Sequence, residues 1–295
     1  MKIKGLLYLM IDWCNLCPLI LENLGSGLIV IYEERTILYA NKKACELLKK
    51  PKEDLIGRNA RSTLFALFSE GSSCSFEALF QEGKVCEFDA LLNRGDGETF
   101  FAHILATLIR HESSPYVLVN FYDITPQKEL EKRLYLAAIT DPLTGLYNRR
   151  FADEMLKQEK ITYKRYKTPF CILLIDLDNF KIINDVYGHD VGDKVLVAVA
   201  TVLKSSVRAS DIVARWGGEE FLILLRRIEL EDAIKVAEKI RNAICQLKVP
   251  PVEGLSASIG VTCYSGEGDV YNLVRKADLA LYQAKTQGKN CVILF

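Results

Sequence analysis

Phe170-Cys171-Ile172-Leu173-Leu174-Ile175-Asp176-Leu177-Asp178 is the stretch on which the fold turns. The apolar run reads as a buried β-strand. Asp176 and Asp178, at i and i+2, then point their carboxylates to one side of the sheet, just where the chain leaves the core. Two acids so placed repel each other unless a cation neutralises them. Downstream, Asp211 to Trp216 and Glu220 to Leu225 read as a hairpin around Gly217-Gly218, which would bring Glu219 and Glu220 to the same place. Hard oxygen ligands of this kind suit Mg2+ or Mn2+. The residues alone therefore point to metal-assisted phosphoryl transfer, in which paired divalent ions stabilise attacking and leaving oxygens. They fit a polymerase palm as well as a cyclase, and either half alone would pass for a solvated turn or a capping acid.

Outward from this stretch, residues 141–295 alternate helices and strands. Asp190 to Val207 and Leu230 to Leu247 have helical apolar spacing, then follow a strand at Leu255 to Tyr264, a helix at Val270 to Thr286 and a closing strand at Cys291 to Phe295. This predicts an α/β domain with a mixed sheet covered by helices. Residues 19–125 are strand-rich. Gly27 to Tyr32 and Thr36 to Ala40 flank the polar Glu33-Glu34-Arg35 as a hairpin, and a short helix at Asn41 to Lys50 is ended by Pro51. Val85 to Leu92, Glu98 to Ile109 and Tyr116 to Tyr122 add strands, with Asn93-Arg94-Gly95-Asp96-Gly97 as a turn, giving an antiparallel half-barrel crossed by small helices (α+β). Between them, residues 126–140 are helical and charged. Leu130, Leu134 and Ala137 share one face, which predicts a short coiled-coil linker holding two copies together; a connector helix of a monomer is the alternative. Residues 1–18 form an N-terminal segment.

At 295 residues the chain has room for two such domains. Lys plus Arg and Asp plus Glu number 38 each, so no global field recruits nucleic acid or anionic membrane, and any phosphate site is local. The apolar run Leu6 to Ile11 is far short of the roughly 20 residues a membrane span needs and has no cleavage site. A cytoplasmic location follows as the expectation, with the nine cysteines as thiols and most of them, like Cys171, small core residues. Cys14 and Cys17 form a C-x-x-C pair with no second pair to complete a metal set, and nothing gathers around His103 or His111.

Two resemblances sharpen this reading. Leu21-Glu22-Asn23-Leu24, Ile37 to Cys45, Leu55-Ile56-Gly57-Arg58 and Asp123-Ile124-Thr125 resemble a PAS sensor domain. That segment has no cysteine in the flavin-adduct motif and no clear heme ligand, so its ligand is unknown. Asp141 to Arg150, Asp176 to Asp185, Gly188 to Asp193, Gly217-Gly218-Glu219-Glu220-Phe221, Ser258 to Val261 and Ala277 to Lys285 resemble the GGDEF domain of diguanylate cyclases, whose palm-like fold agrees with the pattern above.

The second resemblance implies condensation of two GTP molecules into cyclic di-GMP. It implies two Mg2+ or Mn2+ held by the Asp176 carboxylate, the Leu177 carbonyl and Glu219, with Glu220 adjoining. Glu219 or Glu220 would accept the 3′-hydroxyl proton, and the sequence does not choose between them. Asn184 and Asp193 match guanine-binding positions, and His189 lines the same pocket. Phe180 and Lys181 open a helix whose N–H groups and lysine would hold the β- and γ-phosphates, assisted by Lys285, Lys289 and Arg215. Gly217 and Gly218 would allow close approach of the nucleotide through a turn of positive φ. Arg208 and Asp211 match an R-x-x-D inhibitory site for the product. Because each site holds one GTP, two domains must face each other, which implies a homodimer held through the PAS domain and linker. The rival readings are a silent GGDEF module that only binds cyclic di-GMP or GTP, a related nucleotide-polymerising enzyme, and a protein whose function is PAS ligand sensing alone.

Overall fold

Short continuous apolar runs near the N-terminus produce strands β1 (Gly27–Tyr32) and β2 (Ile37–Ala40), paired antiparallel and preceded by helix α1 (Trp13–Glu22). The computed structural model describes residues 13–32, 35–60, 63, 85–112 and 114–295. The expected run Leu6 to Ile11 and the turn residues Glu33 and Glu34 lie outside these. The chain divides into two compact units, Met1–Lys132 and Arg133–Phe295.

In the first unit, helices α2 (Lys42–Leu48) and α3 (Lys52–Leu55) are followed by long strands β3 (Val85–Asn93), β4 (Thr99–His111) and β5 (Ser114–Asp123). The sheet order is β2-β1-β5-β4-β3, with antiparallel neighbours throughout. Buried Asn41 joins the elements. Its Oδ1 accepts from the N–H groups of Ala44 (2.8 Å) and Leu28 (2.9 Å), and its Nδ2 donates to the carbonyls of Leu21 (2.9 Å) and Ser26 (3.0 Å). It thereby caps α2 and locks the start of β1. Helix α4 (Thr125–Ile139) follows and buries none of its residues; Leu130 and Leu134 are exposed.

The second unit is a mixed six-stranded sheet of order β11-β10-β7-β9-β8-β6. Its elements are β6 (Tyr147–Asn148), α5 (Arg149–Tyr166), β7 (Phe170–Leu177), α6 (Phe180–Tyr187), α7 (His189–Ser206), β8 (Ile212–Arg215), β9 (Glu220–Arg226), α8 (Leu230–Cys245), β10 (Ala257–Cys263), α9 (Val270–Thr286) and β11 (Val292–Leu294). Every residue of β7 is buried, as its unbroken apolar run requires. Leu173 and Ile175 pack with Phe221 and Ile223 against α7 and α8, while Ile172 and Leu174 pack with Leu222 and Leu224 against α5 and α9. Helix α5 has no counterpart in the sequence reading; its amphipathic spacing buries Ala152 and Leu156 on the second of these faces.

The expectation of thiols throughout does not hold. Cys171 in β7 and Cys263 in β10 stand opposite each other in register and are joined as a disulfide, and Cys86 is also disulfide-bonded. Cys17, Cys45, Cys245 and Cys291 are free.

Gly260 in β10 sets the depth of α9. A Cβ there would strike the Ala277 carbonyl oxygen and the Leu281 nitrogen, both backbone atoms of α9. Gly260→Ala is therefore expected to push α9 off the sheet and destabilise the second unit by about 1–3 kcal/mol, read as a lower denaturant midpoint of its unfolding transition.

Candidate active site

The end of β7 delivers Asp176 into register with Glu220 of β9 and Ser258 of β10. Lys285, in the last turn of α9, places Nζ 2.7 Å from Asp176 Oδ2. Burial raises the Asp176 carboxyl above its ordinary range, opposed by the Lys285 ammonium. Burial also raises Glu219 and Glu220, and the charge of Asp176 adds to both. Three carboxylates therefore share a pocket in which their ionised forms are under-compensated.

The two acids of Asp176-Leu177-Asp178 do not act as an equivalent pair. Buried Asp178 accepts at Oδ1 from Ser258 Oγ (2.7 Å), and at Oδ2 from Ser256 Oγ (2.7 Å) and the Asn290 N–H (3.0 Å). Hydrogen-bond donors from β10, the segment leading into it and the turn before β11 satisfy it, where the sequence predicted repulsion calling for a cation. Among the described residues, no three acids, imidazoles or thiols already converge as a metal cage. The donor set nonetheless fits a hard dication. Asp176, Glu219 and Glu220 with the Leu177 carbonyl are all oxygen ligands, and the carboxyls are raised by burial, with the charge of Asp176 adding at both glutamates, a penalty that a dication would relieve.

Beside this centre stands a second cation, Lys289, whose charge also acts on Asp176. Asn179, left-handed at φ 58°, precedes α6, and its Oδ1 accepts from Lys289 Nζ at 2.6 Å. Phe180 is buried and Lys181 exposed. Helix α7 approaches α6 at Gly192, where a Cβ would collide with Asn184 Oδ1 and lie 3.2 Å from the Phe180 ring. The missing side chain makes room for Asn184. His189 and Asp193 stand one turn apart on α7, both exposed.

One expectation at the hairpin is corrected. Neither Gly217 nor Gly218 has positive φ; a Cβ at Gly217 would lie 2.6 Å from Glu220 Oε2, whereas Gly218 has open space around it. Gly217 thus gives room to the Glu220 carboxylate. Arg215, expected to contact a phosphate, braces the hairpin. Its Nε and Nη2 donate to the Gly218 carbonyl (3.1 and 2.8 Å), and Nη1 reaches Asp141 Oδ1 at 3.2 Å. Asp141 is further fixed by the Thr144 N–H (2.8 Å) and hydroxyl (2.7 Å). Asp141, Asn179 and Gly192 were quoted in motifs without roles. The three-residue spacing of Asp141 and Thr144 is the one local signal that would have marked a turn lock.

At the other end of β8, Arg208 and Asp211 form a turn. The Arg208 N–H donates to Asp211 Oδ2 (3.0 Å) and the Arg226 N–H to Oδ1 (3.1 Å). Both residues line a depression of about 300 Å³ together with Arg226 and Lys239.

The family model described as "Diguanylate cyclase, GGDEF domain" matches residues 138–291, just over half of the 295 residues. The chain belongs to the GGDEF family. A PAS domain model matches residues 25–126. Among curated GGDEF relatives, the chain is 39% identical over 198 residues to the diguanylate cyclase DgcM of Escherichia coli, covering 67% of this chain and 48% of that one. It is 42% identical over 166 residues to the response regulator PleD of Caulobacter vibrioides, covering 53% and 36%. The chain thus spans about half or less of the curated relatives it matches. Of solved structures, the diguanylate cyclase SiaD in complex with its activator SiaC from Pseudomonas aeruginosa aligns with TM-score 0.54 and 39% identity, covering 58% of this chain and 66% of that one. The coiled coil and GGDEF domain of DgcB from Caulobacter crescentus, in complex with c-di-GMP, aligns with TM-score 0.56 and 27% identity, covering 58% and 93%. No helix among the described residues is long and apolar enough to cross a membrane.

The brace on the GGDEF hairpin makes stability depend on pH. Burial raises Asp141, but its bonds to Thr144 and the charge of Arg215 outweigh that, leaving it below the ordinary carboxylate range. A depressed folded value gives stability that is present above the unfolded value and lost as pH falls through the folded one. Asp141→Asn should therefore cost about 1–2 kcal/mol at neutral pH, and the gap from wild type should close as denaturation is followed into acid.

Proposed function

We propose that this chain condenses two molecules of GTP into cyclic di-GMP with release of two pyrophosphates. The observation that carries the reading is the convergence of Asp176, Glu219, Glu220 and Lys285 at the ends of β7, β9 and α9, with Lys289 and the start of α6 beside them. Asp176, the Leu177 carbonyl, Glu219 and Glu220 would hold Mg2+ or Mn2+, two per site. When bound, the ions supply charge compensation at the α-phosphate and at the attacking and leaving oxygens.

The chain's own groups do the rest. Lys285 and Lys289, with the N–H groups of α6 and Lys181, bind the triphosphate and accept the charge that builds on departing pyrophosphate. Asn184 and Asp193 take the guanine edge; an acidic acceptor there meets the N1 and N2 donors of guanine and is left unpaired by adenine. Glu219 or Glu220 removes the 3′-hydroxyl proton of the opposing nucleotide. Their raised carboxyls are stronger bases than free glutamate.

Since one domain holds one GTP, two copies must meet, and the exposed Leu130 and Leu134 of α4 give them a surface on which to pair. The PAS domain would set whether the catalytic faces meet. Cyclic di-GMP bound at Arg208 and Asp211 would lower turnover through a separate equilibrium.

Incubation of the purified chain with GTP and Mg2+ is expected to give cyclic di-GMP, and Glu219→Ala with Glu220→Ala to lower the rate by at least about a hundredfold. A folded, dimeric wild type that binds guanine nucleotide but makes no product after stripping would instead establish a receptor. Arg208→Ala with Asp211→Ala should leave the initial rate intact and abolish its decline as product accumulates; an unchanged decline would remove product inhibition from the reading.

A further inference from the structure

Helix α9 ends at Thr286, and the chain turns back into β11 through Gly288, Lys289 and Asn290, all left-handed at φ 112°, 65° and 47°. Non-glycine residues in that region persist only where their surroundings hold them. Here the Ala284 carbonyl accepts from the Lys289 N–H at 3.0 Å, Arg241 Nη1 donates to Asn290 Oδ1 at 2.9 Å, and Asp178 holds the peptide between them. The buried Oδ2 of Asp178 accepts from the Asn290 N–H, at the peptide bond that directly follows Lys289, while Ser256 and Ser258 fix the carboxylate from β10 and the segment leading into it. From the backbone position so defined, Lys289 extends Nζ to Asn179 Oδ1 at the mouth of α6.

We infer that Asp178 is a positioning residue for Lys289, fixing the left-handed turn from which this lysine meets the outer phosphates of a nucleoside triphosphate. The inference rests on the reading of this site as one that binds GTP. The two acids at the end of β7 then divide their work: Asp176 pairs directly with Lys285, and Asp178 places Lys289 through the backbone. Asp178 touches neither nucleotide nor ion in this scheme. Its effect is confined to ligands that carry the phosphates Lys289 reaches.

The test is equilibrium binding by the full chain of 3′-deoxy-GTP, which lacks the attacking hydroxyl, compared with GMP, in Mg2+. Asp178→Ala should weaken 3′-deoxy-GTP roughly tenfold, the scale of one charge-assisted contact, and leave GMP within about twofold. Lys289→Ala should do the same. The double variant should be no worse than either single one, because both remove the same contact. Asp178→Asn should recover most of the affinity, since its amide oxygen can take the Asn290 N–H and its amide nitrogen can donate to Ser258 Oγ.

A partly unfolded variant loses both ligands alike, so the ratio of the two affinities isolates the positioning effect; if Asp178→Ala does not fold, Asp178→Ser takes its place in the cycle. Additive losses, or equal loss of GMP, would overturn the inference and leave the GTP site standing. A wild type that does not bind 3′-deoxy-GTP would overturn both.

Discussion

Everything at this site depends on carrying carboxylates to the end of a strand that is buried along its whole length. A carboxylate taken from water into such a place must find charge or hydrogen-bond donors, or it will protonate. The second unit meets the requirement twice within three residues. Asp176 receives an ammonium from α9, and Asp178 receives two hydroxyls and a backbone N–H. The donors come from elements that are themselves part of the core, so the site cannot be assembled without the fold. Gly260 shows the dependence from the other side: the closeness it allows between β10 and α9 is what brings Lys285 within reach of the strand end.

The hairpin that brings the glutamates is held independently. Arg215 closes its own turn onto the Gly218 carbonyl and ties that turn to Asp141, and Asn148 lies beside Arg215 in the β6–β8 register. The same Asn148, with Arg150, donates to the Ala138 carbonyl at the end of α4, at 2.9 and 2.6 Å. Backbone and guanidinium contacts thus run from the last turn of α4 to the turn that precedes Glu219. The glutamates are carried on a braced element, as a preorganised electrostatic site requires.

The sequence made the frame of both units legible because period and polarity fix a strand or helix locally. Strands β3, β4, β5 and β9, and helix α9, lie within a few residues of where alternation and helical spacing put them. Helix α5 escaped although its spacing is amphipathic, because its apolar stripe, Ala152 and Leu156 with Phe151 and Met155 beside them, is set among many charges. The acidic and glycine motif was legible as a site, yet the roles within it were not. Which of Asp176 and Asp178 stays available depends on serines some eighty positions away. Gly217 was read as a backbone necessity, whereas its neighbour's carboxylate occupies the space a side chain would take. Cys171 reads from the sequence as a lone core residue because strand register, not local spacing, sets Cys263 opposite it.

The sheet of the second unit ends on its two slightest strands, Tyr147–Asn148 on one side and Val292–Leu294 on the other, each paired parallel with one strand, and Tyr147 is also bridged to Thr140. Edges this brief offer few free backbone groups to a foreign strand, which is a recognised defence against sheet-to-sheet addition. Self-assembly of this unit is thereby denied the continuous-sheet route that leads to fibres, and any ordered contact between copies has to be made by side chains on helices and loops, where it can be reversible.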